Sequence, residues 1–135
     1  MNIGEITYRS DYVPDVEEFR SILNRSSLGE RRPVSDDIAL SNMLKYANLT
    51  ITAWSGKRLI GISRSITDFS YCCYLPDLAV DRDYQKMGIG QELINRTKES
   101  LEKGCSIILL SAPKAVQFYE RIGLSRHPAA FTIPV

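Results

Sequence analysis

The chain has 135 residues, of which 44% are hydrophobic and 24% charged, with a net charge of +1. That composition suits one soluble globular domain spanning 1–135, and it excludes a nucleic-acid binder working through a general basic surface. No apolar run approaches the roughly 20 residues of a membrane span, and Met1 to Glu5 lacks the basic start and apolar core of a signal peptide, so the expected compartment is the cytoplasm.

Glu5 to Arg9 alternates polar and apolar, as a half-buried first strand does. Asp15 with Glu18 three residues on is a capping box, and Val16, Phe19 and Leu23 follow on one helix face. Asn24 to Pro33 reads as a loop. Ser35 is the expected cap of a second helix whose stripe is Leu40, Met43, Leu44 and Ala47. Leu49 to Trp54 and Leu59 to Thr67 are strands joined by the turn Ser55-Gly56-Lys57-Arg58, and Tyr71 to Val80 is a longer strand. Next come Gln85-Lys86-Met87-Gly88-Ile89-Gly90 and a helix with Ile89, Leu93, Ile94, Thr97 and Leu101 on one face, closed by Gly104. Ser106 to Leu110 is a continuous apolar run, expected as a central strand buried on both faces. Pro113 opens a last helix, with Ala115, Phe118, Tyr119 and Ile122 at i, i+3, i+4 and i+7 and Gly123 at its end. Phe131 to Val135 contains Pro134 and is expected as a final strand at an edge or exchanged with a second copy.

Two glycines where a helix begins have a physical use. The first N–H groups of a helix lack internal partners and carry the positive end of its dipole, and glycine lets a ligand approach the backbone. Together these cradle an anion, phosphate above all. A tight turn into a core helix fits the same residues. The spacing matches neither G-x-x-x-x-G-K-[ST] nor a full G-x-G-x-x-G, which argues against a P-loop and a dinucleotide fold. Cys72, Cys73 and Cys105 form neither a C-x-x-C nor an even set, so they read as small apolar filler, with no metal site.

Gln85-Lys86-Met87-Gly88-Ile89-Gly90 resembles the Q/R-x-x-G-x-G/A signature of the GNAT superfamily of N-acetyltransferases, preceded by the usual Leu-x-Val of Leu78 and Val80. Phe118-Tyr119-Glu120-Arg121-Ile122-Gly123-Leu124 is similar to the family's F-Y-x-x-x-G-F/L helix end. The resemblance is strong over the C-terminal half, and over the N-terminal half it rests on element order. It implies a mixed α/β fold: a central, mostly antiparallel sheet with splayed strands and helices on both faces. It further implies direct transfer of an acetyl group from acetyl-CoA to a primary amine of a small molecule. A non-catalytic acyl-CoA-binding module or sensor is the alternative, as is a peptide or protein amine as acceptor. No nucleic-acid or membrane partner is implied.

By this resemblance the pyrophosphate of CoA lies on backbone N–H groups of Lys86, Met87, Gly88, Ile89, Gly90 and Gln91, with Gln85 opening the loop. Lys86 stands where the family often has glycine. The pantetheine amides pair with main-chain groups of Leu78 and Val80, and the thioester carbonyl takes an N–H from Leu78 or Ala79. Ser111 either contacts the pantetheine arm or caps the following helix. Ala115 and Phe118 complete the cofactor side. Tyr119 matches the general acid for the departing thiolate. The base is open: the positions where relatives carry glutamate hold Pro76 and Tyr74. Tyr74 suits a water wire. Asp77 is either base or structural, and by alternation it faces away unless the strand is bulged. His127 is a further option in the last loop. A homodimer built around the C-terminal strand is the expected assembly.

Overall fold

The computed structural model describes residues 4–135. Five strands, β1 (Ile6–Arg9), β2 (Leu49–Ser55), β3 (Arg58–Thr67), β4 (Cys72–Val80) and β5 (Ser106–Ile108), pair in the order β1-β2-β3-β4-β5. The first four are mutually antiparallel and β5 is parallel to β4. Helices α1 (Val16–Arg25) and α2 (Asp37–Tyr46) cover one face, and α3 (Ile89–Glu99) covers the other. The short α4 (Val116–Arg121) follows β5.

The sequence sets these elements locally. Asp15 accepts from the Glu18 N–H at 2.8 Å, and the Glu18 carboxylate accepts from the Asp15 N–H at 3.1 Å, closing the box that starts α1. At α2 the cap is Asp36, not Ser35: its carboxylate accepts from the Ala39 N–H at 3.0 Å. The Asp36 N–H already closes a turn onto Pro33 O, so the helix begins one residue later. α3 ends at Glu99, and Gly104, at φ +99, belongs to the turn beyond it.

Two apolar layers hold the sheet. Phe19, Ile22, Leu23, Leu40 and Leu44 pack on Leu59, Ile62 and Ala79. Ile89 and Leu93 pack on Leu49, Ile51, Ala53, Ile60 and Tyr84. Leu93 is fully buried, and burying such a side chain stabilises by about 1.5–3 kcal/mol.

Two irregularities in β4 position the site. Tyr74 pairs with Ile66 while Asp77 pairs with Arg64, so three steps on β4 oppose two on β3. The extra residue is a bulge at Leu75-Pro76, where a proline is tolerated because the ladder is interrupted. Second, β5 meets β4 over three residue pairs only, Cys72 to Tyr74 with Ser106 to Ile108. From Leu75 to Val80 the far edge of β4 has no strand beside it among the described residues, and the sheet is splayed there.

Two expectations fail at this end. Ser106 to Leu110 is not a doubly buried central strand: the ladder stops at Ile108, β5 is the sheet edge, and Ile108 and Leu110 are exposed. Phe131 to Val135 forms no strand. With β5 so short there is no long edge for it to join, and Phe131 and Ile133 are 91% and 86% exposed.

Candidate active site

The loop between β4 and α3 has the backbone of an anion cradle. Lys86 and Gly88 both lie in the left-handed region, at φ +64 and +82. Alternating left-handed residues turn successive N–H groups to one side, forming a concave nest. The first helical bond runs from the Glu92 N–H to Gly88 O, so the N–H groups of Ile89, Gly90 and Gln91 precede it and stay available. A Cβ built on Gly88 meets nothing within 4 Å, so the space above the loop is open. A Cβ on Gly90 would lie 3.0 Å from the Phe118 ring, so any larger residue there presses on α4. Ile89 is core, leaving only its backbone for a ligand. The Met87 side chain is exposed.

The base of the loop is anchored. Asp81 is buried, accepts from the Asp83 N–H at 2.9 Å and pairs with Arg25 and with Arg58. Burial alone would raise its pKa, but the Asp83 N–H and the two guanidiniums outweigh burial and hold it below the ordinary value. Gln85 donates from Nε2 to Val80 O at 3.0 Å, tying the loop to the strand. Arg82 donates to Asn24 O at 3.3 Å.

Strand β4 presents its open edge next to the cradle. The Asp81 N–H donates to Ile60 O on β3 at 2.8 Å. By alternation Ala79 also faces β3, while Leu78 and Val80 turn their backbone groups to the splayed side. A carbonyl in the splay therefore meets the Leu78 N–H rather than that of Ala79. One lone pair of Val80 O is already taken by Gln85.

Tyr119 sits on α4, packed edge-on against Phe118 at 5.1 Å between ring centroids. Phe118 in turn rests on Gly90, so the phosphate loop and the tyrosine helix touch. Burial pushes the Tyr119 phenol above its ordinary value, and the charge of Arg32 pulls against that shift. A phenol so placed keeps its proton at neutral pH and has one to give. Ser111 does not cap the next turn: its hydroxyl donates to Ala112 O at 2.7 Å, and its lone pairs remain free to accept. Ala115 lies at the start of α4, half-buried.

The bulge brings Tyr74 and Asp77 onto one face, that of Arg64. Their roles separate there. Tyr74 is 41% exposed. Asp77 is fully buried, and both its oxygens are engaged: Arg32 Nε donates to Oδ1 at 2.6 Å and Arg64 Nε to Oδ2 at 2.5 Å. Arg32 also donates to Pro76 O at 2.6 Å, pinning the loop before α2 to the bulge. With both oxygens held by guanidiniums, Asp77 has a structural task. His127 lies in the exposed tail, with Nδ1 accepting from the Ala129 N–H at 3.2 Å. Arg32 and Arg64 are the residues that sequence reasoning passed over. They lie 45 and 13 positions from Asp77, so local spacing carries no trace of them. The proline at position 76, inside an otherwise clean strand, was the one available sign of the bulge. Two shallow concavities, lined by Tyr8, Arg9 and Arg96 and by Tyr12, Trp54 and Lys57, lie at the β1 edge away from this chemistry.

A family model for the acetyltransferase (GNAT) domain matches residues 13–131, and the chain belongs to that family. It is 30% identical over 144 residues to the GCN5-related N-acetyltransferase 2, chloroplastic, of Arabidopsis thaliana, covering 93% of this chain and 56% of that protein. The chain spans 54–58% of the length of such curated relatives. Among solved structures, a GNAT-family acetyltransferase from Streptococcus pneumoniae superposes with a TM-score of 0.79 at 20% identity, covering 97% of this chain and 98% of that one. An aminoglycoside N-acetyltransferase in complex with CoA superposes with a TM-score of 0.72 at 15% identity over 97% and 95%. These likenesses establish the fold of the mixed, splayed sheet.

Proposed function

We propose that residues 1–135 form one catalytic domain that transfers an acetyl group from acetyl-CoA directly to a primary amine of a small molecule. The observation that carries this reading is the left-handed loop at Lys86 and Gly88 opening beside the unpaired edge of β4, with Tyr119 joined to it through Phe118 and Gly90. Acetyl-CoA, as second substrate, supplies the activated acyl carbon. The nest binds its pyrophosphate, the Leu78 and Val80 backbone aligns its pantetheine arm like an added strand, and the Leu78 N–H polarises the thioester carbonyl. Attack by the neutral amine forms the new C–N bond as the C–S bond breaks. Tyr119 gives its proton to the departing sulfur. The amine's surplus proton leaves through water beside Tyr74, because Asp77 is already held by two arginines. Cytoplasm remains the expected compartment, a reading supported by three free cysteines among the described residues.

That held carboxylate favours a second reading, an acyl-CoA-binding module without turnover. Thiol release from acetyl-CoA over a panel of amines, with wild type and Tyr119→Phe, separates the two. Turnover that falls about 10²-fold in the variant, with CoA affinity retained, fits Tyr119 as general acid. Binding of CoA with no thiol release from any amine selects the binding module.

A further inference from the structure

The Arg32–Asp77–Arg64 cluster holds two positive charges and one negative, at the bulge where the acyl group must arrive. Neither arginine makes another ion pair among the described residues. A guanidinium has five N–H donors. Arg32 spends one each on Asp77, Arg31 O and Pro76 O. Arg64 spends one on Asp77 and one on Met43 O at 3.0 Å. Its Nη2 has no hydrogen-bond partner among the described residues, although the residue is only 5% exposed. Ser65 Oγ is the sole fully enclosed side-chain polar atom lacking a partner among those residues. Arg64 Nη2 is therefore not sealed in the core. Arg64 stands on the sheet face that Tyr74 shares.

We propose that Arg32 and Arg64 form an anion-recognition subsite for the acceptor, and that the acceptor is a primary amine bearing a carboxylate. Planar guanidinium donors match a carboxylate, and a desolvated pair with spare N–H groups is suited to bind one. The same net positive charge rejects acceptors with a second ammonium, since no unpaired carboxylate in the cluster is left to receive it. Arg32 lies close enough to Tyr119 for its charge to act on the phenol, so an anion held here leaves its amine beside the reacting end of the splay.

This inference rests on the acetyltransferase reading, and the test keeps the two apart. Turnover is measured with β-alanine, propanolamine and putrescine, which match in chain character and differ in the remote group. Binding of β-alanine to the CoA-loaded protein is measured by calorimetry in parallel. The expected kcat/KM for β-alanine exceeds that for propanolamine by at least about tenfold, with putrescine lowest. Arg64→Gln removes this preference while CoA affinity holds, and Arg64→Lys, which keeps the charge, retains part of it. Propanolamine or putrescine used as well as β-alanine overturns the subsite, and so does absence of β-alanine binding. Binding of β-alanine without acetylation of any amine upholds the subsite and refutes the enzyme instead.

Discussion

Asp77→Asn separates a structural carboxylate from a catalytic one. Asp77 is fully buried, and the Arg32 and Arg64 side chains that hold it are 20% and 7% exposed. Breaking a buried ion pair by removing one partner costs about 3–5 kcal/mol, because the other charge stays buried without compensation. Asparagine keeps one acceptor oxygen, so the low end, about 3 kcal/mol, is expected here. For 135 residues, the unfolding entropy is about 0.28 kcal/mol per degree, so Tm should fall by about 11 °C. Scanning calorimetry reads this directly, with thiol release measured well below the new Tm. A variant that melts within about 2 °C of wild type and has lost turnover refutes the reasoning: Asp77 would then act in proton transfer rather than in holding the loop.

The cradle makes opposite demands on its two left-handed residues. Gly88→Glu places a negative side chain in the open space above the nest and should abolish CoA binding in calorimetry; unchanged affinity in a folded variant rejects the cradle. Lys86→Gly relieves a non-glycine residue at φ +64, a strain of about 1–2 kcal/mol partly offset by the freer unfolded chain, so its denaturation midpoint should not fall. Stability should fall on acidification: the Asp81 pKa is lowered in the fold, so its contribution is full above the ordinary 3.8 and is lost as pH drops through the lowered value. Asp81→Asn should flatten that acid limb in a pH series of melts. The exposed apolar tail from Phe131 and the uncovered β5 edge support a homodimer. Light scattering should give a dimer for the full chain and a monomer for a chain ending at Pro128, and a monomeric full chain ends the idea.

Sequence reasoning reached what is local. The Asp15–Glu18 box, the three-stranded meander of β2, β3 and β4, and the glycines of the cradle all signal within a few residues of themselves. The helices find their faces because apolar spacing is itself the driving pattern. What escaped depends on distant partners. The length of β5 is decided by where β4 diverges from it, and apolar content alone made it look central. The tail reads as a strand from Phe131-Thr132-Ile133, yet a strand needs a neighbour and it has none among the described residues. Asp77 resisted assignment because its partners, Arg32 and Arg64, are brought to it only by the fold.

The inserted residue in β4 acts as a change of parity. Before it, even-numbered side chains such as Tyr74 look toward α1 and α2; after it, odd-numbered ones, Asp77 and Ala79, do so. The two halves of one strand are thus written in different frames. Deleting either Leu75 or Pro76 would merge the frames and leave Tyr74, Asp77 and Ala79 on the face they already share, since ordinary alternation would then place them there. A deletion in the regular part, such as Leu78, would instead turn one half over: either Asp77 would leave its arginines or Ala79 the core. Such a deletion should be harsher than any single substitution along β4, because substitution changes one side chain and this deletion changes the side on which a whole half of the strand stands.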